Sequence, residues 1–274
     1  MDLIKVNQEK CIKCGICAEV CPTGTIGLDE NGPKAIEPFC IACGHCVAIC
    51  PTAALDNAKA PLVNQISLKK VPVLDEDMAA IFLRSRRSVR EFKRKVVARE
   101  SIQQLLNIAR FAPTSSNSQG VSYLVIDDSQ TLSSITAVIV DYWEEEALKQ
   151  PPWSETPYAA HLKAHIANYR KTGRDVILRD APCLIIPIVD KNLTVGKDNT
   201  YYSLAYAELY APSIGLGTCI TGFFDGCAAS GYKPLLEILK LPENMQVTGG
   251  LMAGYPKYTY QRLVDRNPLQ VIWR

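Results

Sequence analysis

Two parts of the chain differ in how hydrophobic and polar positions are arranged. Residues 1–60 are organised by a cysteine-rich pattern that occurs twice at an offset of 29, with eight identities in 16 aligned positions. Residues 61–73 are rich in Pro, Lys, Asn and Ser without periodicity, which predicts a linker. From Leu74 onward, helical and strand periods predict a larger α/β arrangement. We therefore expect a small cysteine-rich domain at 1–60, a linker at 61–73 and a larger domain at 74–274.

The larger segment contains recognisable helix and strand patterns. Asp75 can cap a helix that runs through Met78, Ile81 and Phe82. Cys183 to Val189 is a continuous apolar run, typical of a central strand. The other expected elements are, in chain order, a helix through Ile102, Leu105, Leu106 and Ala109 that Pro113 ends, a strand from Val121 to Ile126, largely helical residues 129–179, a helix from Tyr201 to Ile214, and strands from Leu216 to Phe224 and from Met245 to Ala253.

Composition narrows the class of protein. The chain has 274 residues, of which 47% are hydrophobic and 21% charged, with a formal net charge of +2, as in a globular protein with a real core. The longest apolar run, 181–189, is too short to cross a bilayer, and the charged N-terminus shows no signal peptide. We expect a cytoplasmic protein without a membrane partner. The basic stretch from Arg84 to Lys95 has no further basic, aromatic-rich surface around it, which argues against a nucleic-acid partner.

The two cysteine runs, CIKCGICAEVCP and CIACGHCVAICP, carry the clearest chemistry. In each, the cysteines follow at intervals of three, three and four residues, and a proline follows the last. This is the bacterial ferredoxin spacing, in which the fourth cysteine of each run ligates the other cluster. We therefore predict two 4Fe–4S clusters. Their expected ligands are Cys11, Cys14, Cys17 and Cys50 for the first cluster, and Cys40, Cys43, Cys46 and Cys21 for the second.

Other uses of these cysteines fit the spacing less well. Structural zinc sites usually separate two cysteine pairs by a longer loop. Disulfides are uncommon in a chain without a secretion signal. Cys183 and Cys219 lie outside the runs, in or beside apolar stretches, and are expected to be buried small residues.

Four stretches of the larger segment could contact a phosphorylated heterocycle. In RSRRSVREF (84–92), an extended backbone would put Arg86, Ser88 and Arg90 on one face, suited to a phosphate and a polyol, although a solvated basic loop explains them too. APTSSNSQG (112–120) offers donors and acceptors, or is a plain turn. GLGTCITGFF (215–224) allows close backbone approach at its glycines, and AGYPKYTYQRLVDRNP (253–268) offers further arginines.

In this order and over this length, the four stretches resemble the nitroreductase family of FMN enzymes, and the resemblance covers about 74–274. The first 60 residues resemble a two-cluster bacterial ferredoxin, so the chain resembles a ferredoxin–nitroreductase fusion. The resemblance implies an α+β architecture, with a small ferredoxin-like iron–sulfur domain and a nitroreductase-like α/β sandwich whose central sheet is flanked by helices. No G-x-G-x-x-G motif follows a strand, so nothing indicates a Rossmann-type NAD(P)H site.

The resemblance also places an FMN site. The expected FMN-binding residues are Arg86, Arg87, Ser88 and Arg90 at the phosphate and ribityl chain, Pro113, Thr114, Ser115 and Asn117 in a loop against the flavin, Thr221 and Gly222 with backbone amides near N5 and O4, and Arg262 and Arg266 as C-terminal phosphate ligands. Asn117 would reach the pyrimidine edge. This sequence has Gly120 and Val121 after Gln119, where the family usually has a Pro-Trp or similar pair, which affects substrate preference.

The implied function is an FMN- and iron–sulfur-dependent oxidoreductase. Single electrons from ferredoxin or a similar donor would enter through the clusters, and FMN would convert them for a two-electron reduction. The acceptor is expected to be a small molecule such as a nitroaromatic, with alkene, imine or halogenated substrates and the dehydrogenase direction as alternatives. The flavin carries the chemistry, so no catalytic side chain is expected. A flavin/iron–sulfur electron carrier or redox sensor is the rival hypothesis.

Two further expectations concern assembly and substrate contact. A homodimer with FMN at its interface is implied, with the apolar PLQVIW end wrapping the partner, unless that end packs on its own chain. Residues 143–169 are expected to frame the substrate. Within them, His161 and His165 could share a helical face near Trp153, Tyr158 and Tyr169. We expect this pair to cap the substrate side, or simply to lie on a surface helix, rather than to bind a metal.

Overall fold

The structure is a computed structural model that describes residues 2–68, 71–149 and 155–274. The chain divides into two compact units. The first comprises Met1–Leu74 together with Ser115–Ser118, and the second comprises Asp75–Thr114 and Gln119–Arg274. Across the described ranges, no helix is both long and apolar enough to cross a membrane.

The first unit consists of two short antiparallel ribbons and two single-turn helices. Strand β1 (Ile4–Val6) pairs with β4 (Leu55–Asn57), and β2 (Ile26–Asp29) pairs with β3 (Gly32–Ala35). The helices are α1 (Ile16–Glu19) and α2 (His45–Ala48), and a 3₁₀ turn follows at Leu62–Asn64. The core is small, and consists of Ile4, Ile26, Cys46, Val47 and Leu55. A core of this size needs a covalent or metal staple to be stable.

The internal repeat of the sequence is also a repeat of backbone conformation. Gly15 and Gly44, 29 residues apart, precede α1 and α2 with φ angles of 80° and 73°. Lys13 and Ala42, at the same offset, have φ angles of 52° and 56°. Glycine adopts this left-handed conformation without a Cβ penalty, which explains its place before each helix. Each cysteine run therefore folds into the same loop followed by one helical turn.

The second unit is built on a five-stranded sheet in the order β5–β6–β9–β7, with β8 also paired to β6. The strands are β5 (Ser122–Ile126), β6 (Cys183–Asp190), β7 (Gly217–Ile220), β8 (Met245–Val247) and β9 (Leu251–Gly254). Their pairings are antiparallel. In β6, Leu184 and Ile186 belong to one core cluster, and Cys183 and Ile185 belong to another. Since successive side chains of a strand point to opposite faces, both faces of the sheet are covered.

Helices cover the sheet on both faces. On one face pack α4 (Arg99–Ala109) and α7 (Gly196–Tyr210), through Leu105 and Leu204 among others. On the other pack α5 (Ser129–Leu148), α6 (Pro157–Thr172), α8 (Gly222–Ala229) and α9 (Lys233–Leu239). Helix α3 (Glu76–Ser85) precedes them and buries none of its residues. The α+β architecture with a central sheet flanked by helices is therefore confirmed.

Several predicted elements are confirmed in detail. The Asp75 carboxylate caps α3 by accepting a hydrogen bond from the Met78 amide at 2.8 Å. The predicted strands at 121–126 and 183–189 are present as β5 and β6. Cys183 and Cys219 are buried, as expected.

Other predicted boundaries are wrong, mainly because a short apolar run does not distinguish a buried strand from a buried helix segment. The expected strand from Leu216 to Phe224 ends at Ile220, because Phe224 and Cys227 fall on the buried face of α8. The expected strand from 245 to 253 is two strands, β8 and β9, separated by residues 248–250. Helix α7 begins at Gly196, five residues earlier than predicted, whereas α4 contains its four predicted residues and ends at Ala109, ahead of Pro113. Trp153 lies outside the described residues, as does the side chain of Tyr158.

Candidate functional site

Two cavities in the first unit are each lined by four cysteines. One is lined by Cys11, Cys14, Cys17 and Cys50, together with the Lys13–Ile16 loop and Leu55. The other is lined by Cys21, Cys40, Cys43 and Cys46, together with Ile4, Thr25, His45 and Asn57. In both cavities, three cysteines come from one run and the fourth comes from the other. The structure thus gathers the same two sets of cysteines that the cross-ligation rule predicts.

The thiol environments repeat between the two sets. Burial raises the pKa of Cys17 in one set and of Cys46 in the other. Burial acts in the same direction on Cys21 and Cys50, but hydrogen bonds from nearby hydroxyls and backbone amides outweigh it and lower the pKa of both. Thr23 Oγ1 lies 3.6 Å from Cys21 Sγ, and Thr52 Oγ1 lies 3.8 Å from Cys50 Sγ. Such donors stabilise thiolates, which are the form of cysteine that binds metals.

Four thiols around one cavity, with hydrogen-bond donors directed at sulfur, are a donor set that suits an iron–sulfur cluster. A site for a single metal ion is a different matter from these cluster-sized cavities. Within the described ranges, no three His, Cys, Asp or Glu side chains lie close enough together to bind one metal ion. His161 and His165 accordingly have no third ligand in that part of the chain. Their Nε2 atoms lie 2.7 Å apart on α6, where His161 is exposed and His165 is half-buried. Burial, with the charges of His161, Arg179 and Arg174, lowers the pKa of His165.

The second unit has a cavity of about 370 Å³ at the end of β7 and the start of α8. Its lining joins Arg90, His161 and Arg179 to Thr221 and Gly222. The remaining lining residues are Val176, Ile177, Cys219, Ile220, Phe223 and Met252. The polar groups are cationic or neutral, so the described lining contributes positive charge and no carboxylate. A cavity of this size is in the range that small molecules occupy.

Arg179 enters this cavity from a turn that sequence reasoning missed. The Asp175 carboxylate accepts hydrogen bonds from the amides of Ile177 and Leu178 at 2.8 and 2.9 Å. It also accepts one from the Asp180 amide at 3.2 Å, and Arg179 and Asp180 have φ angles of 58° and 51°. The turn therefore holds Arg179 in a conformation that non-glycine residues seldom adopt. Burial and the neighbouring charge of Arg90 lower the pKa of Arg179.

The N-terminus of α8 also faces this cavity. The Thr221 amide donates to the Gly250 carbonyl oxygen at 3.0 Å, so this predicted flavin-facing amide is engaged within the protein. Gly222 is exposed, and a Cβ added to it would meet no other atom within 4 Å. Among the described atoms, Thr221 Oγ1 is buried without a hydrogen-bond partner. Of the two amides predicted near flavin N5 and O4, that of Gly222 therefore has the accessible surroundings.

The RRSVR segment runs beside β7, but its side chains take separate partners. Ser88 forms a parallel bridge with Thr218, and the Val89 amide donates to the Thr218 carbonyl at 2.9 Å. Arg86 Nη1 lies 3.3 Å from Glu208 Oε1 in a mostly buried ion pair. Burial raises the pKa of Glu208, and Arg86 offsets part of that effect. Arg87 stacks over Tyr260, and its Nε is buried without a partner among the described atoms.

The loop predicted to lie against the flavin is divided between the two units. Thr114 belongs to the second unit with Pro113, and its Oγ1 accepts from the Gln119 amide at 3.1 Å. Ser115 and Asn117 belong to the first unit, where Asn117 Nδ2 donates to the Ile41 carbonyl oxygen at 2.8 Å. Ser116 and Asn117 have φ angles of 51° and 53°. The amide expected at the pyrimidine edge thus has a partner in a cysteine-run loop.

The C-terminal predictions fall on exposed chain. Arg262 and Arg266 are exposed and do not line the 370 Å³ cavity. The tail is apolar and exposed, with Leu269, Ile272 and Trp273 at 88%, 86% and 89% exposure. The alternative in which this end packs on its own chain is therefore wrong.

Comparison with known protein families finds a match for each of the two parts of the chain. A 4Fe-4S dicluster domain matches residues 3–51, which carry both sets of cysteines, so the N-terminal part is an iron–sulfur domain. The nitroreductase family matches residues 83–255, which is more than half of the chain. The chain therefore belongs to the nitroreductase family and carries a 4Fe-4S dicluster domain ahead of it. The predicted fusion is confirmed.

Individual relatives are distant. The chain is 26% identical to an FMN reductase [NAD(P)H] from Bacillus subtilis over 64% of this chain, and it spans only 64% of that relative's length. It is 28% identical to a 4-nitrobenzoate reductase from Pseudomonas putida, over 67% of this chain and 87% of that protein.

Solved structures share the fold of the second unit. A nitroreductase with bound FMN from Bacteroides fragilis has a TM-score of 0.56 at 17% identity, covering 73% of this chain and all of its own. An iodotyrosine deiodinase bound to FMN and 3-iodo-L-tyrosine also has a TM-score of 0.56, at 21% identity, covering 72% of this chain and 99% of its own. At these identities, the similarity shows the fold alone.

Proposed function

We propose that this protein is an FMN-dependent oxidoreductase that takes single electrons through two 4Fe–4S clusters and reduces a small organic molecule. The observation that carries the proposal is the pair of four-cysteine cavities, encoded in one chain with a nitroreductase family domain. When bound, the clusters carry electrons singly and FMN passes them on in pairs, which connects a one-electron donor to a two-electron acceptor. Four thiols per cavity saturate a 4Fe–4S cluster, which supports electron transfer rather than substrate binding at the clusters.

The cavity at β7 and α8 suits FMN by the chemistry of its lining. Arg90 and Arg179 supply positive charge for a phosphate or for the electron-rich edge of a flavin. The accessible backbone at Gly222 allows close approach, and the hydroxyl of Thr221 has no partner of its own among the described atoms. The unpartnered Nε of Arg87 is a further donor in the same motif. The chain's contribution is to hold and orient the cofactor, and Arg86, Ser88, Asn117, Arg262 and Arg266 remain predicted ligands.

The donor and acceptor follow from the cofactor pair. A reduced ferredoxin or a similar one-electron donor suits the clusters, and a reducing compartment such as the cytoplasm would keep the eight thiols available for their assembly. The Pseudomonas relative supports a nitroaromatic acceptor, since its name gives 4-nitrobenzoate as substrate. Halogenated aromatics are the second candidate, supported by the deiodinase structure with its bound iodotyrosine.

An anaerobic assay distinguishes the candidate electron donors and acceptors. The holoenzyme is given reduced ferredoxin or NADH, and a nitroarene, an iodinated phenol or no acceptor. We expect ferredoxin oxidation that depends on the nitroarene and stops in a variant in which Cys11 and Cys14 are replaced by Ser. Cluster-independent turnover with NADH would contradict the electron route. Electron uptake that no small acceptor accelerates would favour an electron carrier or redox sensor.

We also propose that the second unit forms a homodimer. Helix α3 buries none of its residues, although Met78, Ile81, Phe82 and Leu83 are apolar, and the tail exposes Leu269, Ile272 and Trp273. Exposed apolar side chains grouped on one helix and one terminal segment often mark an interface. Removal of residues 269–274 should shift the mass measured by light scattering from dimer toward monomer. A full-length chain that is monomeric at micromolar concentration would contradict this proposal.

A further inference from the structure

The buried amide of Asn57 is directed at the second set of cysteines. Asn57 is 2% exposed, and its Nδ2 lies 3.7 Å from both Cys40 Sγ and Cys46 Sγ. Its Oδ1 accepts a hydrogen bond from the Lys59 amide at 2.9 Å, which fixes the orientation of the side chain. Because the oxygen is committed to a backbone donor, the NH₂ group is the side turned to sulfur.

The repeat supplies an internal comparison, because most sulfur contacts occur in both halves. Thr23 beside Cys21 corresponds to Thr52 beside Cys50, at the offset of 29. The Ala54 amide donates to Cys50 at 3.2 Å, and the amide of Thr25, its counterpart, donates to Cys21. The counterpart of Asn57 is Leu28, which has no hydrogen-bonding group and is 48% exposed. Asn57 is therefore a difference between two sites whose threonine and backbone contacts to sulfur match.

The two sets of cysteines also differ in burial, which gives the Asn57 amide a physical consequence. In the second set Cys46 is buried, whereas in the first set Cys14 is exposed. One-electron reduction of a cluster adds one negative charge to it, and a buried site with little water stabilises that charge poorly. Hydrogen bonds from an amide to the ligand sulfurs stabilise the added charge in place of water.

We propose that Asn57 is a positioning residue that sets the redox poise of the second cluster, raising its reduction potential above the value it would have with leucine at this place. The inference rests on the proposed cluster content. Its consequence is that the more buried cluster stays reducible by the same low-potential donor as the more exposed one. The cluster ligated by Cys11, Cys14, Cys17 and Cys50 serves as a reference in the same molecule.

The test is an anaerobic redox titration followed by electron paramagnetic resonance on the full chain. The variants are Asn57→Leu, which installs the residue of the first half, and Asn64→Leu, a control at an exposed asparagine of the same unit. At the wild-type midpoint, the reduced-to-oxidised ratio of one cluster should fall about tenfold in Asn57→Leu, which is about 59 mV for one electron. The other cluster and the control should change less than twofold.

Iron analysis separates failure of this inference from failure of the proposed function. If wild type binds about eight irons per chain and Asn57→Leu keeps them, unchanged midpoints overturn the role of Asn57. If wild type lacks two clusters after reconstitution, the proposed function fails first.

A second variant and a measurement on wild type cover the case in which Asn57→Leu does not assemble. Asn57→Val has no donor either and suits a strand, so it should lower the same midpoint. In wild type with ¹⁵N-labelled asparagine side chains, pulsed resonance should show an asparagine nitrogen coupled to one reduced cluster. Absence of that coupling would overturn the proposal without any variant.

Discussion

The carboxylate of Asp225 makes the stability of the second unit depend on pH. Asp225 lies in the first turn of α8, and the Gly250 amide donates a hydrogen bond to it. Its Oδ1 is buried and has no partner among the described atoms. Burial raises the pKa of Asp225 to about 7, with Lys197 and the Gly250 amide offsetting only part of the effect. The perturbation we consider is Asp225→Asn, which imitates the protonated form.

The sign follows from proton linkage. Between the ordinary pKa of 3.8 and the folded value of about 7, the folded protein holds a proton that the unfolded chain has released. The contribution of protonated Asp225 to the free energy of unfolding is therefore complete below about pH 4, and it is lost as pH rises to about 7. From pH 5.5 to 8, linkage at about 1.4 kcal/mol per pKa unit gives at most about 2 kcal/mol. Because the side chain is partly exposed, we expect roughly 1 kcal/mol.

The assay is anaerobic urea unfolding followed by tryptophan fluorescence at about pH 5.5 and pH 8. Trp143 reports on this region, since its Nε1 donates to the Phe223 carbonyl oxygen at 3.1 Å. As pH rises, the free energy of unfolding should fall by roughly 1 kcal/mol more in wild type than in Asp225→Asn. The control is Asp198→Asn, at an exposed carboxylate of α7, which should parallel wild type. Parallel pH profiles for Asp225→Asn and wild type would refute the reasoning.

Two further predictions concern the cavity lining and the packing of α8. Arg179→Gln should weaken FMN binding roughly tenfold or more by flavin fluorescence titration, because a hydrogen bond to a charged group contributes about 1.5–3 kcal/mol. Arg174→Gln, at an exposed arginine of the same segment, should not, and equal affinities for the two variants would remove Arg179 from the site. Gly226→Ala should lower unfolding free energy by about 1–3 kcal/mol, since its Cβ would meet the Trp143 ring at 2.7 Å. Gly222→Ala, with nothing within 4 Å, should stay near wild type in stability, and a loss as large as that of Gly226→Ala would contradict this packing argument.

Sequence reasoning was most successful where chemistry is tied to local spacing. The two cysteine runs predicted a dicluster domain, because ligand geometry demands thiols at short fixed intervals. The Asp75 cap and the buried strand β6 were predicted for similar reasons, since both depend on residues that are neighbours in the chain.

The remaining features depend on contacts between distant segments. Arg179 reaches the cavity through a turn held by Asp175, and no periodic pattern marks that turn. The Arg86–Glu208 pair joins residues 122 positions apart, so the RRSVR motif alone could not reveal it. The start of α8 was missed because a four-residue strand runs almost directly into an eight-residue helix, and the combined apolar run has no single period.

The central claim is that one chain joins two iron–sulfur clusters to a flavin. The most direct test is iron, sulfide and flavin analysis of anaerobically reconstituted protein, together with its absorbance spectrum. We predict about eight irons, about eight sulfides and one FMN per chain. About four irons, or flavin without iron, would contradict the two four-cysteine sites, and iron without flavin would contradict the FMN site at β7 and α8.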